Sequence, residues 1–227
     1  MRPAEPLKLP NHLFFCLELK SLKLRNCCLH PVLGFHCFPK LLSLEFHQVT
    51  FDSCKYGEFI TRCCPLLENL EISSNTQNGE VKLGDIAKLV NLKMFSLELE
   101  MLGDYVVTSS DIIQLVGSLP KLENLNLNFG EYETLKMTHA TSWAPDYLEV
   151  PCSIKGILQL QYVEFGCLCC EENELCFIES VLAYSPLLKK MVIEDVCDCH
   201  YEDDIWSLPR KLLKLHRASP IAEIHFC

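Results

Sequence analysis

One apolar ladder recurs along this 227-residue chain: a leucine or similar side chain, a second three residues later, and a third two residues after that. Four copies follow a proline: Pro39 with Leu41, Leu44 and Phe46; Pro65 with Leu67, Leu70 and Ile72; Pro120 with Leu122, Leu125 and Leu127; Pro186 with Leu188, Met191 and Ile193. Three more lack the proline, at Leu19, Leu22 and Leu24, at Leu92, Phe95 and Leu97, and at Leu160, Val163 and Phe165. A seven-fold internal repeat constrains the fold more than any other feature, because a unit this small cannot bury its apolar face alone and must stack on its neighbours.

The last two ladder positions alternate apolar with polar residues, as a short strand with one buried face requires. Taking the first ladder position as origin places the copies at 19, 41, 67, 92, 122, 160 and 188, with spacings of 22, 26, 25, 30, 38 and 28 residues. Most fall in the leucine-rich-repeat range. Cys27 and Leu29 complete the longer L-x-x-L-x-L-x-x-N/C-x-L consensus in the first copy, and Asn75 supplies its ninth position in the third. Elsewhere that position holds Val49, Glu100, Gly130, Leu168 and Val196, so no continuous asparagine ladder is expected. The expected fold is α/β, a leucine-rich-repeat solenoid with a curved parallel sheet on the concave side and short helices and loops on the convex side.

Several returns between strands read as helices. Phe59, Ile60, Cys63 and Cys64 have helical spacing before Pro65; Ile112, Ile113, Leu115, Val116 and Leu119 follow Ser109, Ser110 and Asp111, which offer N-cap chemistry; Leu175, Ile178, Val181 and Leu182 precede Pro186. Proline disfavours helical geometry in the residue before it and lacks an amide donor, so each helix ends just ahead of the next strand.

With 49% hydrophobic residues and 9 glycines, the chain has the material for one continuous stacked core without disulfides. No apolar run approaches the ~20 residues needed to span a bilayer, and Met1 to Pro10 carries no secretory signal, so an intracellular location, cytoplasmic or nuclear, is expected. In a reducing compartment the 15 cysteines read mainly as small buried hydrophobes. Cys167, Cys169, Cys170 and Cys176 cluster, as do Cys197, Cys199 and His200, but neither group has two well-spaced ligand pairs of the kind structural zinc requires. No metal site, cofactor or catalytic residue is assigned: phosphate loops, nucleophile elbows and metalloprotease motifs are absent. The acidic run Glu202, Asp203 and Asp204 reads as a solvated loop. A net charge of −10 argues against a nucleic-acid partner, which selects a basic face. No membrane partner is expected.

In a leucine-rich solenoid the polar residues between the ladder positions point into the concavity. One such row reads Lys23, Glu45, Glu71, Ser96, Asn126, Glu164 and Val192, and the next Arg25, His47, Ser73, Glu98, Asn128, Gly166 and Glu194. Beyond Lys23 and Arg25 these rows hold five acids and no Lys or Arg, which suits a partner with some basic character. The long stretch from Glu131 to Gly156 carries Trp143, Pro145 and Tyr147, and extra-long loops and tryptophans both favour interfaces. Lys23, Glu45, Glu71, Asn126, Asn128, Trp143 and Glu164 are the candidate partner-binding residues.

Leu9-Pro10 with Leu13-Phe14 and Cys16, Cys-Pro-Leu-Leu-Glu-Asn-Leu at 64–70, and Ser-Pro-Leu-Leu-Lys-Lys-Met at 185–191 resemble plant F-box/FBD/LRR-repeat proteins. The tail KLLKLHRASPIAEIHF at 211–226 looks like the end of an FBD region: a short basic helix over Arg210 to Arg217, an Arg217-Ala218-Ser219 corner, and a closing strand with Ile224 and Phe226. The organisation expected is an N-terminal lead-in at 1–18, repeats at 19–200 with the insertion near 131–156, and an FBD-like cap at 186–227 overlapping the last repeat. The N-terminal end looks less well capped.

That resemblance implies the substrate-recognition part of a cullin-based, SCF-type ubiquitin ligase, with a target protein on the concave face. An F-box, the helical segment that would hold a SKP-type adaptor and through it a cullin, is longer than the lead-in before Leu19, so those partners are expected only if an F-box lies upstream. The alternative is a free-standing binding module that sequesters a partner or competes with full-length relatives, with no role in ubiquitination.

Overall fold

The computed structural model describes residues 7–30, 35, 37–51, 56–73, 82–98, 109–129, 157–168, 172–194, 210 and 212–227. Among these residues nine strands form one wholly parallel sheet in chain order: β1 (Leu7–Lys8), β2 (Ser21–Leu29), β3 (Ser43–Phe51), β4 (Asn69–Ser73), β5 (Met94–Glu98), β6 (Asn124–Asn128), β7 (Tyr162–Gly166), β8 (Lys190–Glu194) and β9 (Glu223–Phe226). Between them lie α1 (Tyr56–Cys63), α2 (Leu83–Ile86), α3 (Ser109–Ser118) and α4 (Glu172–Tyr184), with a 3₁₀ turn at Asn11–Phe15. This α/β arrangement, one strand per ladder stacked in sequence order, is compatible with a leucine-rich-repeat solenoid.

The ladder sets the register. Leu22, Leu44, Leu70, Phe95, Leu125, Val163, Met191 and Ile224 align across the sheet, and so do Leu24, Phe46, Ile72, Leu97, Leu127, Phe165, Ile193 and Phe226. All are buried except Ile224 and Phe226 on the terminal strand. β9 thus continues the rows past the seventh ladder, without the leucine spacing that marks the others. The first ladder positions, Leu41, Leu67, Leu92, Leu122, Leu160 and Leu188, lie just before their strands and are buried in the same core; Leu19, at the end of the array, is only half-buried.

Backbone bonds repeat with the same period. The Lys20 carbonyl accepts from the amides of Leu42 and Ser43, that of Leu42 from Glu68 and Asn69, and that of Glu68 from Lys93 and Met94. Lys93, Glu123 and Gln161 carry the chain of bonds on to β8, and the Lys189 carbonyl receives Glu223 N at 3.0 Å.

A further regularity explains the longer consensus. Asn26, Gln48 and Cys167 have φ of 47°, 53° and 54° and occupy the same place in their repeats, seven residues past the first ladder position. A left-handed residue there shifts the strand's alternation by one, so Cys27, Val49 and Leu168 turn inward and are buried.

The returns bury one face against the ladder: Phe59 and Ile60 from α1, Ile86 from α2, Ile112, Ile113, Leu115 and Val116 from α3, and Phe177, Ile178, Val181 and Leu182 from α4. Consecutive helices pack on one another from α1 to α4. α3 includes Ser109 and Ser110, so the two serines lie within the helix rather than ahead of it as caps. α2, four residues long, has no apolar period of its own to announce it.

The ends depart from expectation. Among the described residues the tail is helical at Arg210 and Leu212 and turns at Leu213, so the helix does not reach Arg217. Burial of Leu212 outweighs local helix propensity. At the other end, β1 pairs with β2, Leu7 beside Cys27, and Phe14 is buried against Phe35 and Phe38, at 5.2 and 6.5 Å between ring centroids. This end therefore carries a cover that the spacing alone did not reveal.

Candidate partner-binding face

Opposite the ladder the sheet presents polar side chains in continuous rows. Lys23, Glu45, Glu71, Ser96, Asn126, Glu164, Val192 and His225 are direct neighbours across β2 to β9. The structure therefore brings five candidates, Lys23, Glu45, Glu71, Asn126 and Glu164, into one row. Asn128 sits in the adjacent row between Glu98 and Gly166. Trp143 lies outside the described residues.

The two ends of this face differ electrostatically. Lys23 forms an ion pair with Glu45 on the next strand, and His47 Nδ1 lies 3.0 Å from Ser73 Oγ. Toward the other end Asn126 Nδ2 donates to Glu164 Oε1 at 2.9 Å, and the next row carries Glu98 and an exposed Glu194. The face is thus self-neutralised near β2–β3 and acidic over β5–β8.

A third row was not anticipated: Ser21, Ser43, Asn69, Met94, Asn124, Tyr162, Lys190 and Glu223. It precedes the second ladder position by one residue, and the same two-residue period that marked the other rows could have found it. Tyr162 is 48% exposed, with Lys189 Nζ 5.7 Å from its ring centroid.

One rim of the sheet is held by bonds between equivalent positions of successive repeats. Lys40 reaches Glu18 at 2.6 Å, Lys93 reaches Glu68 at 2.9 Å, Lys121 reaches the Asn91 amide oxygen at 2.8 Å, and Lys189 reaches the Gln161 amide oxygen at 2.8 Å. These exposed contacts match neighbouring repeats and leave the face itself open. Each is worth about 0–1 kcal/mol.

Among the described residues no group of three His, Cys, Asp or Glu side chains is placed to hold a metal ion. Cys167 is half-buried and Cys176 exposed; Cys169, Cys170, Cys197, Cys199 and His200 lie outside the described residues, as do Glu202, Asp203 and Asp204. Burial, with a smaller contribution from Cys28, pushes the Cys27 thiol up to about 11. Burial pushes Cys64 up further, with Cys63 and Cys37 adding to it. Both thiols are held neutral, the opposite of what a nucleophile or metal ligand needs. No helix among the described residues is long and apolar enough to cross a membrane.

No protein-family model matches the chain. Several Arabidopsis thaliana proteins are similar to it. One described as an FBD-associated F-box protein is 25% identical over 218 residues, covering 85% of this chain and 48% of the relative. A second protein of that description is 30% identical over 134 residues, 58% of this chain and 32% of the relative. An F-box/FBD/LRR-repeat protein is 26% identical over 143 residues, 63% of this chain and 31% of the relative. The chain therefore spans about half or less of the length of the curated relatives it matches. Along much of its length the chain is thus similar to Arabidopsis thaliana proteins described as FBD-associated F-box and F-box/FBD/LRR-repeat proteins.

Proposed function

We propose that this chain is a protein-recognition module, a leucine-rich-repeat solenoid with an FBD-like C-terminal cap, acting as the target-holding part of an SCF-type ubiquitin ligase adaptor. The observation that supports this most strongly is the polar face. Its side chains stand in register over strands β2 to β9 while the ladder face is closed by helices, so one broad surface remains for a partner. The similarity to FBD-associated F-box proteins supplies the ligase context.

In this reading the repeats occupy 19–200 and the FBD-like region 186–227, with the target against the row from Lys23 to Glu164. A SKP-type adaptor and cullin join only if an F-box lies upstream. The test is to immunoprecipitate the endogenous protein with an antibody against the tail. An antigen larger than 26.0 kDa that carries a SKP-type adaptor supports the ligase reading; an antigen of 26.0 kDa without the adaptor overturns it in favour of a free-standing binding module.

A further inference from the structure

β6 reads Asn124-Leu125-Asn126-Leu127-Asn128: both leucines are buried, and all three asparagines stand half-buried on the opposite face. Asparagine is disfavoured in strands, so three on one central strand run against local propensity. What an amide offers is an N–H donor and a C=O acceptor on separate atoms, the same pair of groups that an extended main chain presents. The Asn126–Glu164 bond at 2.9 Å occupies one amide proton and one carboxylate oxygen, orienting both groups.

Beside these amides the face has a gap. Gly166 lies in register between Asn128 and Glu194, and Glu164 precedes it by two residues on the same face. A Cβ added at Gly166 would stand 3.4 Å from Asn128 Cγ, ordinary contact, so the site accepts a side chain yet carries none. Glu194 stands directly beside it on β8 and Glu164 two positions before it on β7, so the two acids are diagonal neighbours of each other with Gly166 at the corner between them. Lys23, which could neutralise a carboxylate, is at the far end and paired with Glu45; Lys190 lies in the outer row beside Glu223. Tyr162 exposes an aromatic surface in that same outer row.

We propose that β6–β8 dock an extended segment of the partner protein, the asparagines meeting its main chain and a lysine or arginine of that segment seated over Gly166 between Glu164 and Glu194. The charge of the occupant follows from the acidic excess at this end of the face, and its extended form from the amide row. This rests on the reading of the face as the partner-binding surface and narrows it to one end and one class of partner.

The probe is a fluorescein-labelled (Lys-Thr)4 octapeptide titrated against the full chain by fluorescence anisotropy, with (Glu-Thr)4 and a backbone N-methylated (Lys-Thr)4 as comparators. Binding of the lysine peptide alone is expected, weakened about tenfold by Glu194→Gln or Glu164→Gln and unchanged by Glu179→Gln, an exposed position on α4 away from the sheet face. Gly166→Val fills the gap and abolishes binding while the melting temperature holds. Equal binding of the N-methylated peptide overturns the main-chain contact, and binding indifferent to Glu164, Glu194 and Gly166 overturns the site. A target recovered with the adaptor that tolerates all three substitutions overturns this inference and leaves the ligase reading standing.

Discussion

Ser219 Oγ donates to the Leu188 carbonyl at 2.6 Å, tying the C-terminal corner to the first ladder position of the seventh copy. Both residues are buried, and the neighbouring Ala218 amide reaches the Leu182 carbonyl at the end of α4 at 2.9 Å. Arg217 closes the corner by donating to the Ala222 carbonyl at 3.3 Å. Three successive residues thus anchor the tail, and only then does β9 add to the sheet. Ser219→Ala leaves the Leu188 carbonyl without this partner and is expected to destabilise by about 1–3 kcal/mol. In a chain of this size that lowers the melting temperature by about 2–4 °C per kcal/mol, readable by calorimetry.

The first two helices meet at a glycine. A Cβ on Gly57 would stand 1.8 Å from Asp85 Oδ2 and 2.7 Å from Asp85 Cβ, closer than any rotamer of Asp85 relieves. Gly57→Ala must therefore part α1 from α2, and overpacking of this kind costs about 1–3 kcal/mol. Asp85→Gly in the same chain is expected to recover part of the loss. A double-mutant cycle by urea denaturation checks it; additive losses would mean that the two sites do not touch.

The ladder spacing of three and then two residues, with proline ending the helices, was enough to read β2 to β8, their order and two of the polar rows. What it could not show depends on neighbours. Asn26, Gln48 and Cys167 share a left-handed backbone yet have unrelated side chains, so the conformation is imposed by the repeat geometry and leaves no residue signature. α2 is too short for a period, and the tail's basic stretch looks helical until Leu212 is drawn into the core. Of the face, the rows through Lys23 and Arg25 were read, and the row through Asn124 and Tyr162, between the first and second ladder positions, follows the same two-residue period.

Cys27 gives the fold an alkaline limit. Its thiol is pushed up to about 11, while the unfolded chain's thiol ionises near its ordinary value of about 8.5. Between those values the folded state binds more protons than the unfolded one, so stability is fully present below about 8.5 and is lost as pH rises toward 11. Cys64, also raised by burial, acts in the same direction. Unfolding free energy measured across this range is expected to fall, and less steeply in Cys27→Ala. An identical slope in the variant would mean that Cys27 titrates alike in both states.

Leu125 tests the register directly. It is 2% exposed and lies between Phe95 and Val163 in the middle of the ladder row. Leu125→Asp buries an unpaired charge there and is expected to cost several kcal/mol, enough to unfold much of the array at ambient temperature. An unchanged melting temperature would place Leu125 outside the core and refute the ladder.

Glu71 and Glu164 separate recognition from folding. Both are half-buried on the polar face, in the same row, three strands apart, and the ladder residues on either side of each, Leu70 and Ile72, Val163 and Phe165, are buried behind them. Replacing both by lysine leaves the core untouched, so the melting temperature is expected to move by less than the Leu125→Asp variant moves it. The loss of the Asn126–Glu164 bond removes only about 0.5–1.5 kcal/mol. The effect on a partner is of another kind: the two rows pass from two basic and five acidic residues to four basic and three acidic, so the attraction for a basic surface is lost. With a target recovered from the native complex, surface plasmon resonance is expected to show slower association and weaker binding for the doubly substituted chain. The loss should shrink as salt is raised past physiological strength, because the Debye length is already about 8 Å there. Binding that survives the double substitution at low salt would put the target on another surface.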